Sequence, residues 1–401
     1  MKTFLNTLGV ICTLGSGKHA VAEALFAGDD SGLREQAGWV PGRALPVGAV
    51  RDELPEIPPA LAATRDNRAN RLLMAAAREI EDELRAALHC YGDARIGVVI
   101  GSSTTGIERT TRGVAHLRQH GEWPADYRYA DQELGAPAEF LAEWLDLSGP
   151  CYGISTACTS GARALISAQR LLRMGVCDAV LCGGVDTLAR LPLNGFLALE
   201  ALDSHRCEPF SQNRHGINIG EAAALFLMTA DDGKLELLGA GASSDAYHMS
   251  SPEPQGLGAQ QAMHAALAAA KLDASQIDYL NLHGTATEQN DRMESRATAA
   301  VFPHGVPCSS TKSLTGHTLA AAGALEAAFC WLSLSDVAGG FRLPPQVWDD
   351  VADPELTPLS FTRIGDRLPA QGVRRLMSNS FAFGGNNASL ILGDTADGVS
   401  P

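Results

Sequence analysis

The chain of 401 residues is 45% hydrophobic, 19% charged and 6% aromatic, a composition that supports a large buried core and excludes the disordered and fibrous classes. Its length predicts two large domains or one unusually large one. With 46 acidic residues against 31 basic ones the formal charge is −15, which excludes a general binder of phosphate backbones and so sets nucleic acid aside as a partner.

From the N-terminus, the apolar stretch FLNTLGVICTLGSG is interrupted by Asn6, Gly9 and Gly15. No small residue directly precedes Cys12, so the segment reads as folded chain rather than as a signal or lipid anchor. No later run reaches about 18 uninterrupted apolar residues, and no membrane span is expected. The nine cysteines are odd in number and contain no CxxC pair, which predicts free thiols in a reducing cytoplasm, with neither a disulfide framework nor a metal site. Gly42 to Ala62 is Pro-rich and reads as a surface excursion. In TRDNRANR, Arg65, Arg68 and Arg71 recur every third residue, the spacing of one helical face, and a solvated face is the plain reading of such a stripe.

The alanine-rich run Leu72 to Leu88 predicts a helix and Ile96 to Ile100 (IGVVI) a strand. GSSTTG at Gly101 to Gly106 has phosphate-loop spacing, but Ile107 and Glu108 follow where a Lys and a Ser or Thr would stand, which removes nucleotide binding. Arg109, Arg112 and Arg118 make a second basic group before the irregular stretch His120 to Pro137. GISTACTSG at Gly153 to Gly161 runs into the helical pattern ARALISAQRLLRMG and places Cys158 at a strand-to-helix turn. Unpaired N–H groups and the positive dipole end of that helix favour thiolate over thiol, so Cys158 is the candidate nucleophile.

Apolar runs at Ala179 to Val185 and Ala223 to Met228, alternating with helical stretches, favour an α/β protein with a mostly parallel sheet buried on both faces. The turn TADDGK then separates an N-terminal half, 1–233, from a C-terminal half, 234–401. In the second half, YLNLHGTAT carries His283 at the end of an apolar strand, and SSTKSLTGHTLAAAGAL sets Lys312 and His317 on the loop into an alanine-rich helix. After the Pro-rich stretch Gly339 to Arg363, MSNSFAFGGNNASLIL has a Gly-Gly pair between β-rich runs, as a hairpin turn would.

Taken together, TACTSG around Cys158, HGTAT at His283, STKSLTGH with Lys312 and His317, and NSFAFGGNN near the C-terminus resemble the β-ketoacyl-acyl carrier protein synthases of the elongating type I/II group. The likeness also takes in the opening LGVICTLGSG, IGVVIGSS, PFSQNRHGINIGEA and SSDAYH, and so runs through nearly the whole chain. It implies the thiolase fold, a five-layered αβαβα stack of two similar halves, usually as a homodimer. It also implies that Cys158 accepts an acyl group from a thioester and condenses it with malonyl-acyl carrier protein (ACP). His283 and His317 would donate hydrogen bonds to the enolate left by decarboxylation.

On the same resemblance Lys312 orders the site, paired with Glu326, and the N–H groups of Cys158 and Phe383 form the acyl oxyanion hole. Phe383 is also the gate, and Thr285 and Thr287 hold the phosphopantetheine arm. No cofactor of the chain's own is implied, because that arm arrives on the carrier protein; acyl-ACP and malonyl-ACP are the expected partners. Because the carrier protein is itself acidic and this chain carries −15, docking is expected on a local basic patch, for which Arg65, Arg68 and Arg71 are the candidates.

Ala382 stands where housekeeping enzymes have Gly, which implies a stiffer gate, and the loop LDSHRCEPF is short, with Glu208 in place of a basic residue. Both features look more like ketosynthases of aryl polyene or type II polyketide-like clusters, whose partner can be a noncatalytic ketosynthase-like subunit. Such chain-length-factor subunits lack the nucleophilic cysteine, and a catalytically weak scaffold of that kind is the rival reading.

Overall fold

The computed structural model describes residues 1–231 and 233–395; Asp232, in the turn between the expected halves, and 396–401 lie outside the described residues. In chain order the first half contributes strands β1 (Phe4–Cys12), β2 (Gly15–Ser16), β3 (Arg34–Val40), β4 (Arg43–Gly48), β5 (Ile96–Gly101), β6 (Cys151–Ile154), β7 (Ala179–Asp186), β8 (Ile219–Gly220) and β9 (Ala222–Thr229). Its helices are α1 (Lys18–Ala27), α2 (Pro59–Arg65), α3 (Arg68–Arg78), α4 (Glu81–Tyr91), α5 (Ile107–His120), α6 (Ala136–Trp144), α7 (Ser160–Arg173) and α8 (Arg190–Ala198). The second half contributes β10 (Leu235–Ser244), β11 (Tyr279–Asn281), β12 (Pro307–Ser309), β13 (Ser360–Phe361), β14 (Arg375–Phe381) and β15 (Asn386–Asp394), with α9 (Leu257–Ala270), α10 (Glu288–Val301), α11 (Lys312–Thr315) and α12 (Ala322–Leu334).

The main sheet runs β13-β12-β11-β14-β15-β10-β1-β9-β7-β5-β6. It is two copies of one pattern. In the first half β1 pairs antiparallel with β9, β9 antiparallel with β7, β7 parallel with β5 and β5 parallel with β6; in the second half β10, β15, β14, β11 and β12 follow in the same senses, with β13 added parallel to β12. The copies meet where β1 pairs with β10. A mostly parallel sheet was the expectation; the ladders are mixed, because continuous apolar runs report burial on both faces and not strand direction.

Strand alternation builds the layers. Along β9, Ala224, Phe226 and Met228 face a central core with α7 and α12, while Ala223, Leu225 and Leu227 face an outer core with α3 and α6. On the far side, Met377 of β14 and Ile391 of β15 pack against α9 and α10. Helices, sheet, the α7/α12 layer, sheet and helices make the five-layered αβαβα stack of two similar halves that the resemblance implies. Gly161 lets the central helices approach: a Cβ there would meet Ala324 N at 2.7 Å, so α7 and the first turn of α12 lie backbone to backbone.

Candidate active site

That close approach converges three side chains that are far apart in sequence. Ala157, held at φ 51 in the left-handed region, turns the chain out of β6, and Cys158 follows just before α7. Gly316 at φ 69 opens the segment from α11 toward α12, where His317 N donates to Asn218 O at 2.7 Å and His317 O accepts from Gly220 N at 3.0 Å. His283 follows β11, its N–H and that of Gly284 each donating to a different carboxylate oxygen of Glu294 at 2.7 Å. His317 Nε2 thereby lies 3.0 Å from Cys158 Sγ, and the two imidazoles meet edge to face with centroids 5.2 Å apart.

All three groups are buried, Cys158 at 7% exposed and each histidine at 2%. They open onto a cavity of about 400 Å³ that Thr285, Thr287, Phe196, Phe381 and Phe383 also line. Thr285 and Thr287 hydroxyls are 2.9 Å apart, and the Phe383 ring, 36% exposed, lies 5.5 Å from that of Phe196. Phe383 opens the turn between β14 and β15, so the expected hairpin and the expected gate position fall on the same feature. Ala382 there is extended, at φ −135, a conformation that costs alanine nothing, so the expected stiffening has no origin in its backbone.

Lys312 is buried and sits behind His283. Its Nζ donates to His283 O and to Glu326, the expected pair, and lies 3.4 Å from His283 Nδ1. A cation donating toward Nδ1 keeps the ring proton on the nitrogen that faces the cavity. His317 Nδ1 has no hydrogen-bond partner among the described residues, so the protein enforces neither tautomer there. Because Lys312 and Glu326 are each other's counter-ion, Lys312→Met is expected to cost about 3–5 kcal/mol in urea unfolding, and Lys312→Met with Glu326→Leu to recover most of it. A double variant no more stable than the single one would show that the pair is not coupled.

Burial pushes the Cys158 thiol up to about 12, with the Lys312 cation opposing and the Asp186 carboxylate adding to the rise. This departs from the expected standing thiolate: desolvation outweighs the helix terminus, the resting form is the thiol, and an acceptor for its proton stands at His317 Nε2. Burial and the Lys312 cation hold both imidazoles well below the ordinary histidine range, so they stay neutral as pH falls through 6.5. The His283 and His317 carbon-bound proton resonances are therefore expected not to move between pH 8 and 6; a midpoint near 6.5 in either would contradict this.

The sequence missed three buried acids. Glu294, pushed up to about 7 by burial, and Asp291, which accepts from Phe210 N at 2.7 Å, brace the His283 strand end. Asp186 accepts from Thr104 N and Ala320 N, both at 2.7 Å, and ties β5's following loop to the His317 segment. Asp291 and Glu294 stand three apart in a polar run that reads as a solvated helix face, so periodicity gave no signal.

The arginine face does not form. Arg65 ends α2, Asp66 is extended, and Asn67 caps α3 by accepting from Asn70 N at 3.0 Å, so no single helix carries all three. Arg65 pairs with Glu139 and Glu143, Arg68 with buried Glu221, and Arg71 with Asp66, leaving no free basic stripe for an acidic partner. In the second group, Arg109 pairs with Asp126 and Asp131 and Arg112 with Glu108.

Comparison with known proteins places this geometry. Residues 23–233 match the family "Beta-ketoacyl synthase, N-terminal domain" and 235–338 match "Beta-ketoacyl synthase, C-terminal domain". The chain is 30% identical over 349 residues to 3-oxoacyl-[acyl-carrier-protein] synthase 2 of Staphylococcus aureus, covering 82% of this chain and 84% of that one. It is 33% identical over 325 residues to nodulation protein E of Rhizobium meliloti, covering 76% and 78%. Among solved structures it resembles a chain of the complex between the ketosynthase ApeO and its chain length factor ApeC from Xenorhabdus doucetiae, at a TM-score of 0.92 and 44% identity over 98% of both chains.

Proposed function

The chain belongs to the β-ketoacyl synthase family, and on that premise we propose that it condenses an acyl group held on Cys158 with malonyl-ACP to give β-ketoacyl-ACP. The observation that carries the proposal is the convergence of Cys158, His283 and His317 on one cavity lined also by Thr285 and Thr287.

In loading, the Cys158 sulfur attacks the acyl thioester carbonyl as His317 Nε2 takes the thiol proton. The C–S bond to the pantetheine arm breaks and the proton passes to the departing sulfur, an exchange of one thioester for another. In condensation, the malonyl C–C bond breaks, carbon dioxide leaves, and the electron pair forms an enolate. The His283 N–H facing the cavity, fixed by Lys312, and the His317 ring donate to that oxygen. The enolate carbon then bonds to the acyl carbonyl, the bond to Cys158 breaks, and the returning thiolate takes up a proton from solvent, replacing the one that left with the pantetheine sulfur. Lys312, Glu326 and Glu294 are positioning residues, while Thr285 and Thr287 take the pantetheine arm and the N–H groups of Cys158 and Phe383 the acyl oxyanion.

The intact cysteine favours the catalytic subunit over a scaffold. A second ketosynthase-like chain is a fitting partner, because β6 is an outer edge of the main sheet and all four of its residues are only half-buried. No helix among the described residues is long and apolar enough to cross a membrane. The test is incubation with a panel of acyl-ACPs followed by malonyl-ACP: acyl mass on the protein and a β-ketoacyl-ACP two carbons longer support the proposal. Loading without elongation would support the scaffold reading instead.

A further inference from the structure

The three reactive side chains are also the donor set of a soft-metal site. One sulfur from Cys158 and one nitrogen each from His283 and His317 lie within 4.8 Å of one another, and all three residues are buried. Tetrahedral zinc, with Zn–S about 2.3 Å and Zn–N about 2.0–2.1 Å, needs ligand atoms about 3.3–3.6 Å apart. His317 Nε2 and Cys158 Sγ are already at 3.0 Å, so modest side-chain rotations close the triangle. The fourth position faces the cavity of about 400 Å³, and three protein ligands with one open position is the arrangement of accessible zinc centres.

We propose that Cys158, His283 and His317 bind Zn²⁺ reversibly, and that the bound ion holds the chain in an inactive form that cannot accept an acyl group. The site stands on the geometry and does not require the proposed condensation. On binding, the Cys158 S–H bond breaks, a Zn–S bond forms, and the proton leaves to solvent; no electron is transferred. Coordination through the cavity-facing nitrogen of His283 moves that ring's proton to Nδ1, and Lys312 keeps His283 O and Glu326 as acceptors. The sulfur lone pair that would attack a thioester is then committed to the ion. CxxC spacing is absent because the ligands come from the ends of different strands and helices, which is why the sequence carries no metal signature.

A second histidine pair, His116 and His120, has ring centroids 4.2 Å apart on α5 and is the obvious competitor, so the experiment uses the full chain carrying His116→Ala and His120→Ala. Co²⁺ is titrated as a spectroscopic substitute for Zn²⁺. The expected result is one equivalent bound with tetrahedral d–d bands and a thiolate-to-cobalt charge-transfer band, displaced by Zn²⁺ and abolished by Cys158→Ala, with unchanged thermal unfolding of the apo variant. At Zn²⁺ about a hundredfold above its Kd, iodoacetamide alkylation of Cys158, read by peptide mass, slows about a hundredfold and recovers with chelator. Co²⁺ binding without the charge-transfer band, or binding that survives Cys158→Ala, overturns the proposal, as does unchanged alkylation. Loss of condensation with the cobalt signature intact would count against the enzymatic reading alone.

Discussion

Replacing Cys158 with Ala is expected to abolish acyl loading and with it condensation, while malonyl-ACP decarboxylation persists. No other cysteine has the same surroundings. Cys12, Cys182, Cys207, Cys308 and Cys330 are buried, and burial raises the pKa of each. Cys90 is exposed. Cys158 alone combines a cavity, an imidazole nitrogen at 3.0 Å and a position just ahead of α7. The decarboxylation half persists because its donors, His283 and His317, are held by Lys312, Glu294 and Asn218 rather than by the sulfur. Cys158→Ser is expected to fall with the Ala variant, since a hydroxyl is far harder to deprotonate at the same place. Intact mass after acyl-ACP and carbon dioxide release from malonyl-ACP read the two halves separately; loading retained in Cys158→Ala would place the nucleophile elsewhere.

The two histidines are expected to part company. His283→Ala removes one enolate donor and should lower condensation by roughly two to three orders of magnitude while leaving loading intact. His317→Ala should lose both, because the thiol at about 12 then has no neighbouring acceptor, and loading should fall about 10²–10⁴-fold. The sign of the pH effect follows. For a thiol whose pKa lies far above working pH, the thiolate fraction rises about tenfold per pH unit, so His317→Ala loading should climb steeply between pH 7 and 9. Wild-type loading, with its own proton acceptor, should climb much less. A His317→Ala variant that loads at the wild-type rate would restore the standing thiolate that the helix terminus alone suggests.

Much of this architecture was legible. The strands at Ile96, Ala179, Ala223, Tyr279 and Leu390 all formed where apolar runs placed them. The first strand was harder: Asn6, which breaks the apolar run, sits at the bulge between Leu5 and Thr7, where its side chain reaches Thr229 Oγ1 at 2.7 Å. A polar residue at a bulge leaves the strand intact, and pattern alone does not show it. The run from Leu72 to Leu88 splits between α3 and α4 without Gly or Pro, because Glu79 turns back to accept from Val10 N at 3.0 Å and Lys18 N at 2.6 Å. That break is tertiary in origin. The arginine stripe was the opposite case, since Asp66-Asn67 is cap chemistry that a count of every third residue passes over.

The site divides in the same way. Cys158 was visible from its own turn, but nothing in spacing brings His283 and His317 to it; only the resemblance did. Desolvation of the thiol was invisible, because it depends on α12 and α7 packing backbone to backbone over the turn.

The most direct measurement is single-turnover acyl loading on wild-type protein and on His317→Ala across pH 7 to 9, with the modified residue identified by peptide mass. The account predicts the acyl group on Cys158 in both, at a rate nearly independent of pH in wild type and rising about tenfold per unit in the variant. Acylation at any other residue, or two profiles of equal rate and slope, would contradict it.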